Sequence, residues 1–279
     1  MAQTGLRNIS DFGAPMFLNY KKNNMFNRIF FLLFIASLFG ATTGCNRDND
    51  ASKDAQLEFE FRALYDGADL RENFSYSYGS HTVQFRTFTL FISDIEVIRD
   101  GAATLLKDAI YLDFFPKSST SDQAEIIRHN FALEPGDYSA IRIGLGVKPE
   151  YNDRRPSDFP TGHALTNELE YWLGWRSYIF TKIEGAGDSN QDGNMDYFTI
   201  YHVGGNPTYR TLTFPLDLRI KPGSNKVEAT FDLKKAFTLP DGSLYDMLNN
   251  PATHSQPTEL TVANAIMDGL AWATSVSLK

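Results

Sequence analysis

The sequence contains one cysteine, Cys45, so no disulfide can form within the chain. It also lacks a basic excess. Its 26 Lys and Arg against 34 Asp and Glu give a formal net charge of −8 at pH 7, which argues against nucleic acid as a partner. Neither G-x-S-x-G nor H-E-x-x-H occurs, and Asp153 and Asp158 lie in a turn-rich loop typical of solvated charge. A hydrolase is therefore the weakest functional interpretation.

Long apolar runs are scarce, and the run from Ile29 to Ala41 is too short to favour a membrane-spanning helix. With Arg28 before it and small residues after it, residues 25–45 have the layout of a secretory signal peptide. The ending Thr42-Thr43-Gly44-Cys45 resembles the bacterial lipoprotein box, although Thr42 replaces the usual Leu. We expect lipidation at Cys45, with an incidental free thiol as the alternative.

These features predict four segments. Residues 1–24 are an upstream extension, residues 25–45 are the lipoprotein signal peptide, and the polar residues 46–55 are a flexible tether. Residues 56–279 form one folded β domain. The predicted location is the cell envelope, with a lipid anchor in the outer membrane and the domain on its periplasmic or surface face.

The folded part has a hydrophobic period close to two, which predicts an all-β fold. Residues 56–61 (QLEFEF) alternate cleanly. In residues 83–98 the alternation assigns Val83, Phe85, Thr87, Thr89 and Phe91 to one face, with a bend near Ser93 and Asp94 that splits the strand. Residues 212–220 and 226–233 flank KPGSN and predict a hairpin. A single β-sandwich or a partly closed barrel is expected.

Two short helices interrupt this pattern in the prediction. One covers Asp122–Arg128. The other covers Pro257–Ala273, where one helical stripe carries Leu260, Ala263, Ile266, Met267 and Leu270, and where Pro257 lies in the first turn.

The stretch DSNQDGNMD matches the first half of the EF-hand loop, D-x-[DN]-x-[DN]-G. The predicted calcium ligands are Asp188, Asn190, Asp192, Asn194 (through its carbonyl) and Asp196, with Gly193 at the sharp turn. Position 12, where a bidentate Glu is usual, holds Thr199, so another ligand is needed and Glu184 is a candidate. The alternative is an Asp/Asn/Gly-rich turn that closes a hairpin.

Three of the five histidines lie in loops or at a strand end, where binding sites are often built. They are His163 in FPTGHAL, His202 in YHVGG and His254 in NPATHSQP. Imidazoles from such positions suit copper or zinc. His81 is a reserve ligand, whereas His129 is expected to be an ordinary hydrogen-bonded side chain.

Several segments resemble the MbnP-like family of methanobactin-associated copper-binding proteins. The most specific is EYWLGWRSYIFTKIEG (residues 170–185), which is followed by FTIYHVGG (198–205) and RTLTFPL (210–216). FRTFTLFISDIEVI and YSAIRIGLGV resemble core strands of that family, and GHAL resembles its Gly-His-Pro-Leu segment with Ala164 in place of Pro. The resemblance covers about residues 56–275.

The resemblance implies a periplasmic or surface copper-binding β-protein that is not an enzyme, whereas calcium is predicted from the acidic loop alone. In relatives, a partner di-haem cytochrome c peroxidase-like protein oxidises a tryptophan to kynurenine, and Trp172 and Trp175 occupy the corresponding region here. The preferred alternative is that both are ordinary core aromatics, because a buried Trp is common in a β-sandwich. The expected copper ligands are His163, His202 and His254. The competing interpretation is a calcium-stabilised β-sandwich that binds a glycan or a partner protein. Convergence of the three histidine rings discriminates between the two.

Overall fold

The computed structural model describes residues 55–256 and 259–279, and this part of the chain is mainly β-structure. Its strands are β1 (Ala55–Tyr65), β2 (Ala68–Asp69), β3 (Tyr76–Tyr78), β4 (His81–Arg99), β5 (Ala102–Asp113), β6 (Ile127–Leu133), β7 (Gly136–Leu145), β8 (Tyr171–Trp172), β9 (Ser177–Asp188), β10 (Tyr197–Gly204), β11 (Arg210–Ile220), β12 (Gly223–Asp232), β13 (Ala252–Thr253) and β14 (Thr274–Leu278). Its α-helices are α1 (Pro149–Asn152), α2 (Leu233–Ala236) and α3 (Leu260–Ala273). Among the helices so described, none combines the length and apolar character needed to cross a membrane.

The strands form two mixed sheets that pack face to face as a sandwich. The smaller sheet has the order β14-β12-β1-β2, with β6 also paired to β1, and β1 runs parallel to β12. The larger sheet has the order β11-β7-β4-β9-β10-β13, with β3 and β5 on β4 and β8 on β9. No barrel closes among these strands, so the sandwich form of the predicted all-β fold is confirmed and the partly closed barrel is not.

The main core lies between the two sheets and is rich in phenylalanine. Phe59, Phe61, Phe88 and Phe231 are all fully buried there. The helix α3 packs against α2 and β10 and buries the predicted stripe, except that Leu260 is only half-buried. Alternation along the strands therefore places one apolar face of each sheet in this core, as the period of two requires.

A second, smaller core covers part of the outer face of the larger sheet. It contains Phe91, Phe159, Leu165, Tyr178 and Phe180. The segment between β7 and β8 supplies Phe159 and Leu165 from short 3₁₀ turns and their flanks. This covering segment leads directly into β8, so its packing positions the β8–β9 hairpin.

β-Bulges in β4 correct two expectations drawn from its alternation. The pairing of β4 with β9 shifts register between Phe85 and Thr87, so Phe85 faces the main core while Thr87, Thr89 and Phe91 face outward. A second irregularity, with Asp94 at φ 46°, bends the strand without splitting it. One extra residue on one strand reverses the face of every side chain after it.

Two further expectations were wrong. Residues 127–133 form β6, which pairs antiparallel with β1 and buries Phe131 and Leu133 alternately, so the predicted helix at Asp122–Arg128 does not form. Residues 210–232 do not form a hairpin, because β11 joins β7 in the larger sheet while β12 joins β1 and β14 in the smaller one. Pairing with distant strands outweighed the local signals in both segments.

Several expectations concern positions outside the described residues. They are the upstream extension at residues 1–24, the signal peptide at 25–45, the lipidated Cys45, the tether up to residue 54 and Pro257. The tether was expected to end at residue 55. Ala55 is instead fully buried in the first pair of β1 with β12, opposite Gly223.

Candidate metal centre

His202 and His254 lie side by side because β10 and β13 run parallel. Ile200 pairs with Ala252 and Tyr201 with Thr253, and the same register brings the next two residues together. Their ring centroids are 5.3 Å apart, and the rings are nearly perpendicular at 83°. The backbone N–H of Gly204 donates to Ser255 Oγ at 3.0 Å and fixes the segment that carries His254. Two imidazoles that are distant in sequence are therefore adjacent in the fold.

The two tryptophans lie on the tight β8–β9 hairpin next to this histidine pair. Trp172 pairs with Ser177, and the backbone N–H of Trp175 donates to the carbonyl of Trp172 at 3.1 Å. The indole rings stack at 4.3 Å, and the Trp172 ring meets the His254 ring edge-on at 5.5 Å. Trp175 Nε1 is buried and has no hydrogen-bond partner among the residues that the structure describes. Trp172 thus contacts His254 directly, and Trp175 stacks against Trp172.

His202 is held by a carboxylate. Its Nε2 lies 2.7 Å from Glu184 Oε1, and Glu184 Oε2 accepts a hydrogen bond from Thr87 Oγ1 at 3.0 Å. Burial lowers the pKa of His202, with Lys182 and His254 adding to this, and together they outweigh the opposing effect of Glu184. A lowered pKa favours the neutral imidazole, which is the form that binds a metal ion.

Glu184 is correspondingly ionised. Burial by itself raises the pKa of its carboxyl, but the hydrogen bonds from His202 and Thr87 lower it below its ordinary value. This placement does not support the expectation that Glu184 completes the calcium loop, because its carboxylate is engaged at the histidine pair. The β9–β10 hairpin offered a signal that sequence reasoning missed: Ile200 pairs with Glu184, which makes Glu184 a diagonal neighbour of His202.

A polar groove of about 1010 Å³ adjoins the pair on the outer face of the larger sheet. Glu184 and Lys182 form part of its lining. Lys182 Nζ lies 2.8 Å from Glu170 Oε2, and Tyr111 donates to Glu170 Oε1 at 2.8 Å. The side chain of Lys182 is therefore committed to a second carboxylate, while Glu184 remains with His202.

His163 stands apart from the pair. Its Nε2 lies 2.8 Å from Asp108 Oδ2, and its Nδ1 accepts the backbone N–H of Leu165 at 3.1 Å. Its ring stacks on Phe159 at 4.8 Å. Both ring nitrogens are engaged in fixing the covering segment to β5. The expected convergence of three loop histidines is therefore reduced to two.

The remaining two histidines also lie elsewhere. His81 begins β4 and meets the ring of Tyr197 at 6.1 Å. His129 lies in β6 of the smaller sheet, between Phe61 and Phe131. The reserve ligand His81 is therefore not beside His254. His129 lies between two aromatic rings, and its ring makes no hydrogen bond to the described residues, so the hydrogen-bonded setting expected for it is not seen.

The donor set at the pair fits a metal that accepts imidazole nitrogen. Neutral histidine suits copper or zinc, and the rings of His202 and His254 are close enough to belong to one site. Over residues 55–256 and 259–279 there is no group of three or more His, Cys, Asp or Glu side chains arranged to hold a metal ion. A metal here would have two protein imidazoles and would need further ligands from water or from a modified side chain.

The acidic loop connects β9 to β10 as a compact turn built around Asp188. The side chain of Asp188 is almost fully buried, and its carboxylate accepts the backbone N–H groups of Asn190, Gln191, Asp192 and Gly193. Burial alone raises the pKa of Asp188, but these N–H groups, with that of Gly193 foremost, lower it. The central carboxylate is already stabilised by the loop backbone.

The other acidic side chains of this loop bind the loop itself. Asp192 Oδ1 accepts the N–H of Asn194 at 2.8 Å, and the Asp196 carboxylate accepts the hydroxyl of Ser189 at 2.7 Å. Asn190 Oδ1 accepts the N–H of Asp192 at 2.9 Å. Such Asx turns are typical both of calcium loops and of metal-free turns.

Comparisons with known proteins agree with the fold and with the family resemblance seen in the sequence. The family model described as MbnP matches residues 54–257. The solved structure of MbnP from Methylosinus trichosporium has a TM-score of 0.52 and 15% sequence identity, with 81% of this chain and 99% of that chain covered. No match was found among curated proteins. At this identity the structural likeness concerns the fold, whereas the family model covers most of the chain.

Proposed function

This chain belongs to the MbnP family, and from that premise we propose that it is a copper-binding protein rather than an enzyme. The proposed ligands are His202 and His254. The observation that carries the proposal is the 5.3 Å separation of these two rings on neighbouring parallel strands. His163 is left out of the proposed ligand set because both of its ring nitrogens are already hydrogen-bonded.

The chemistry of the pair favours copper over harder cations. Both donors are nitrogen, and at such a site copper binds more tightly than the other divalent metals of its row. When bound, the metal would supply affinity for the remaining ligands and a redox-active centre. The protein presents two imidazoles, orients His202 through Glu184, and partly shields His254 with Trp172.

The test is a copper titration of the metal-free protein with a competing chelator. His202→Ala and His254→Ala should each weaken binding at least about tenfold, or some 1.4 kcal/mol. His129→Ala is the matched control, because it removes an imidazole from the smaller sheet. Copper binding that is unchanged in either site variant would refute the proposed pair. The alternative, a β-sandwich module that binds a glycan or a partner protein, would then be favoured.

We propose Trp172, rather than Trp175, as the tryptophan open to oxidation by a di-haem peroxidase-like partner. Its ring contacts His254, and 37% of the residue is exposed. Trp175 contacts Trp172 from the other side and is more enclosed. Mass spectrometry of the protein from its native envelope should assign any kynurenine to Trp172. Modification confined to Trp175 would contradict the assignment.

We propose that the loop from Asp188 to Asp196 binds one structural calcium ion. The support is the EF-hand-like spacing together with a tight turn in which Gly193 takes φ 88°. The carboxylates of Asp188, Asp192 and Asp196 do not converge on one point in this structure, so they would have to turn towards the ion on binding. Binding to the folded state alone would stabilise the protein by about 2.7 kcal/mol at a hundredfold excess over Kd. EDTA should lower the Tm of the wild type but not that of Asp192→Ala. A wild-type Tm that EDTA leaves unchanged would refute the site.

We also propose that Cys45 anchors the protein to the outer membrane through lipid. The support is the signal-like sequence of residues 25–45. In detergent phase partitioning, the wild type should enter the detergent phase, whereas Cys45→Ala should give unprocessed or soluble protein. A Cys45→Ala variant that is still processed and membrane-bound would exclude the anchor.

A further inference from the structure

The β-bulge in β4 brings two consecutive side chains to one carboxylate. Phe85 pairs with Gly185 and Thr87 pairs with Glu184, so Arg86 is the extra residue on β4. Thr87 Oγ1 donates to Glu184 Oε2 at 3.0 Å, and Arg86 Nε lies 3.5 Å from the same oxygen. In a regular strand these neighbours would point to opposite faces. The bulge is the local device that holds Glu184 from two sides, and bulges often re-aim side chains next to functional sites.

Because Oε2 of Glu184 is occupied, Oε1 is left for the 2.7 Å contact with His202 Nε2. A carboxylate that accepts a hydrogen bond from Thr87 and lies beside the Arg86 guanidinium acts as an acceptor, so the hydrogen atom in its contact with His202 is on Nε2. In a neutral imidazole only one nitrogen carries hydrogen, and the lone pair is then on the other nitrogen, Nδ1. Nε2 therefore has no lone pair for a metal.

We propose that Glu184 is a positioning residue that holds His202 in its Nε2–H tautomer and makes Nδ1 the nitrogen that binds the metal. The metal part of this inference rests on the proposed copper function. The tautomer part concerns the metal-free protein and stands independently of it. A carboxylate that accepts the second N–H of a metal-binding histidine also fixes the ring orientation and raises its basicity.

The neighbouring charges leave Glu184 free for this role. Lys182, the Cα partner of His202 across the hairpin, is paired with Glu170 at 2.8 Å instead of with Glu184. The side chain of Glu184 is 21% exposed and that of His202 is 18% exposed, so water competes only weakly for their hydrogen bond. Arg86 is about half exposed and keeps the carboxylate charged without displacing the histidine.

The first experiment uses the metal-free wild-type protein at about pH 8, well above the ordinary histidine pKa of about 6.5. Long-range ¹H–¹⁵N NMR spectra of ¹⁵N-histidine-labelled protein report which ring nitrogen carries hydrogen. We expect His202 to be in the Nε2–H form, with a slowly exchanging ring proton at low field. In Glu184→Ala that proton should exchange rapidly and its signal should be lost. A wild-type His202 in the Nδ1–H form would overturn the proposal without any reference to copper.

The second experiment compares copper affinities by chelator competition. Glu184→Ala should weaken binding about tenfold to a hundredfold, the range found for such supporting residues. Glu72→Ala is the matched control because it removes an equal charge from the lining of the same groove. Wild-type affinity in Glu184→Ala, with binding lost in His202→Ala, would refute the positioning role alone. Wild-type affinity in His202→Ala would refute the copper site itself.

If Glu184→Ala proves unstable, Thr87→Val gives a milder version of the same test. It removes the hydroxyl that fixes Glu184 Oε2 and keeps the carboxylate. We expect a smaller loss of copper affinity and faster exchange of the His202 ring proton. An unchanged exchange rate in Thr87→Val would contradict the idea that the bulge holds Glu184 in place.

Discussion

Replacing His163 should affect the stability of the protein and leave its copper affinity unchanged. The side chain is 8% exposed and makes three contacts: a hydrogen bond to Asp108, acceptance of the Leu165 N–H, and stacking on Phe159. A hydrogen bond to a charged group contributes about 1.5–3 kcal/mol, a helix-capping contact about 1 kcal/mol, and an aromatic pair about 0.5–1.5 kcal/mol. Because Asp108 is 32% exposed, the low end applies. We expect His163→Ala to lower the free energy of unfolding by about 3 kcal/mol.

The assay is urea denaturation of His163→Ala and His163→Asn, combined with copper titration under native conditions. Asn can still accept the Leu165 N–H at the start of the 3₁₀ turn, so it should restore about 1 kcal/mol. Copper affinity should stay within about threefold of wild type in both variants. A tenfold or greater loss of affinity at wild-type stability would refute this reasoning and return His163 to the ligand set.

Three further outcomes follow from the packing and charges. Gly146→Ala should lower the free energy of unfolding by about 3 kcal/mol in urea denaturation, because φ is +94° and a Cβ would lie 2.4 Å from Phe180 Cδ2. A decrease in unfolding free energy below about 1 kcal/mol would contradict this contact. Burial raises the pKa of Asp108, but the hydrogen bond from His163 and other partners lower it to about 2. The stabilisation by this carboxylate is thus complete above about pH 4 and is lost as pH falls towards 2. Asp108→Asn should therefore reduce the difference in unfolding free energy between pH 5 and pH 2.5 by about 1 kcal/mol, a value that allows for solvent screening. Unfolding curves at the two pH values would measure this difference. Lys279→Ala should lower the free energy of unfolding by about 1 kcal/mol in the same assay, because buried Glu60 then loses one of its two cationic partners and retains only Arg128. An unchanged stability would show that Lys279 is not needed to stabilise the Glu60 carboxylate.

The strand pattern of the sequence predicted the fold class because alternation over a buried face is a local property. Leu57 and Phe59 point into the core, as their period of two requires. The strand partners were not predicted. KPGSN has the composition of a hairpin turn, yet the strands on either side belong to different sheets. Which edge a strand joins depends on distant residues, and a turn signal carries no information about them.

The candidate site was predicted in part for a similar reason. His202 and His254 were identified from their positions at a strand end and in a loop, and the parallel pairing that joins them is a tertiary feature. His163 has the same kind of loop setting, but its neighbour Asp108 comes from another part of the chain and engages its ring. Glu184 was assigned to the acidic loop because the two are close in sequence. The β-bulge in β4 holds Glu184 next to His202, and the residues of β4 give no sequence pattern that predicts this bulge.

The parallel pairing of β10 with β13 has a consequence for when the proposed copper site can form during the biogenesis of the protein. A parallel pair needs a long crossover connection, and here that connection contains β11 and β12, which belong to different sheets. Until β13 docks on β10, His202 has no second imidazole beside it. A nascent or partly folded chain therefore offers only isolated histidines, which bind a metal weakly. Tight binding would begin with the docking of the segment that carries His254, so that metal occupancy reports a completed fold.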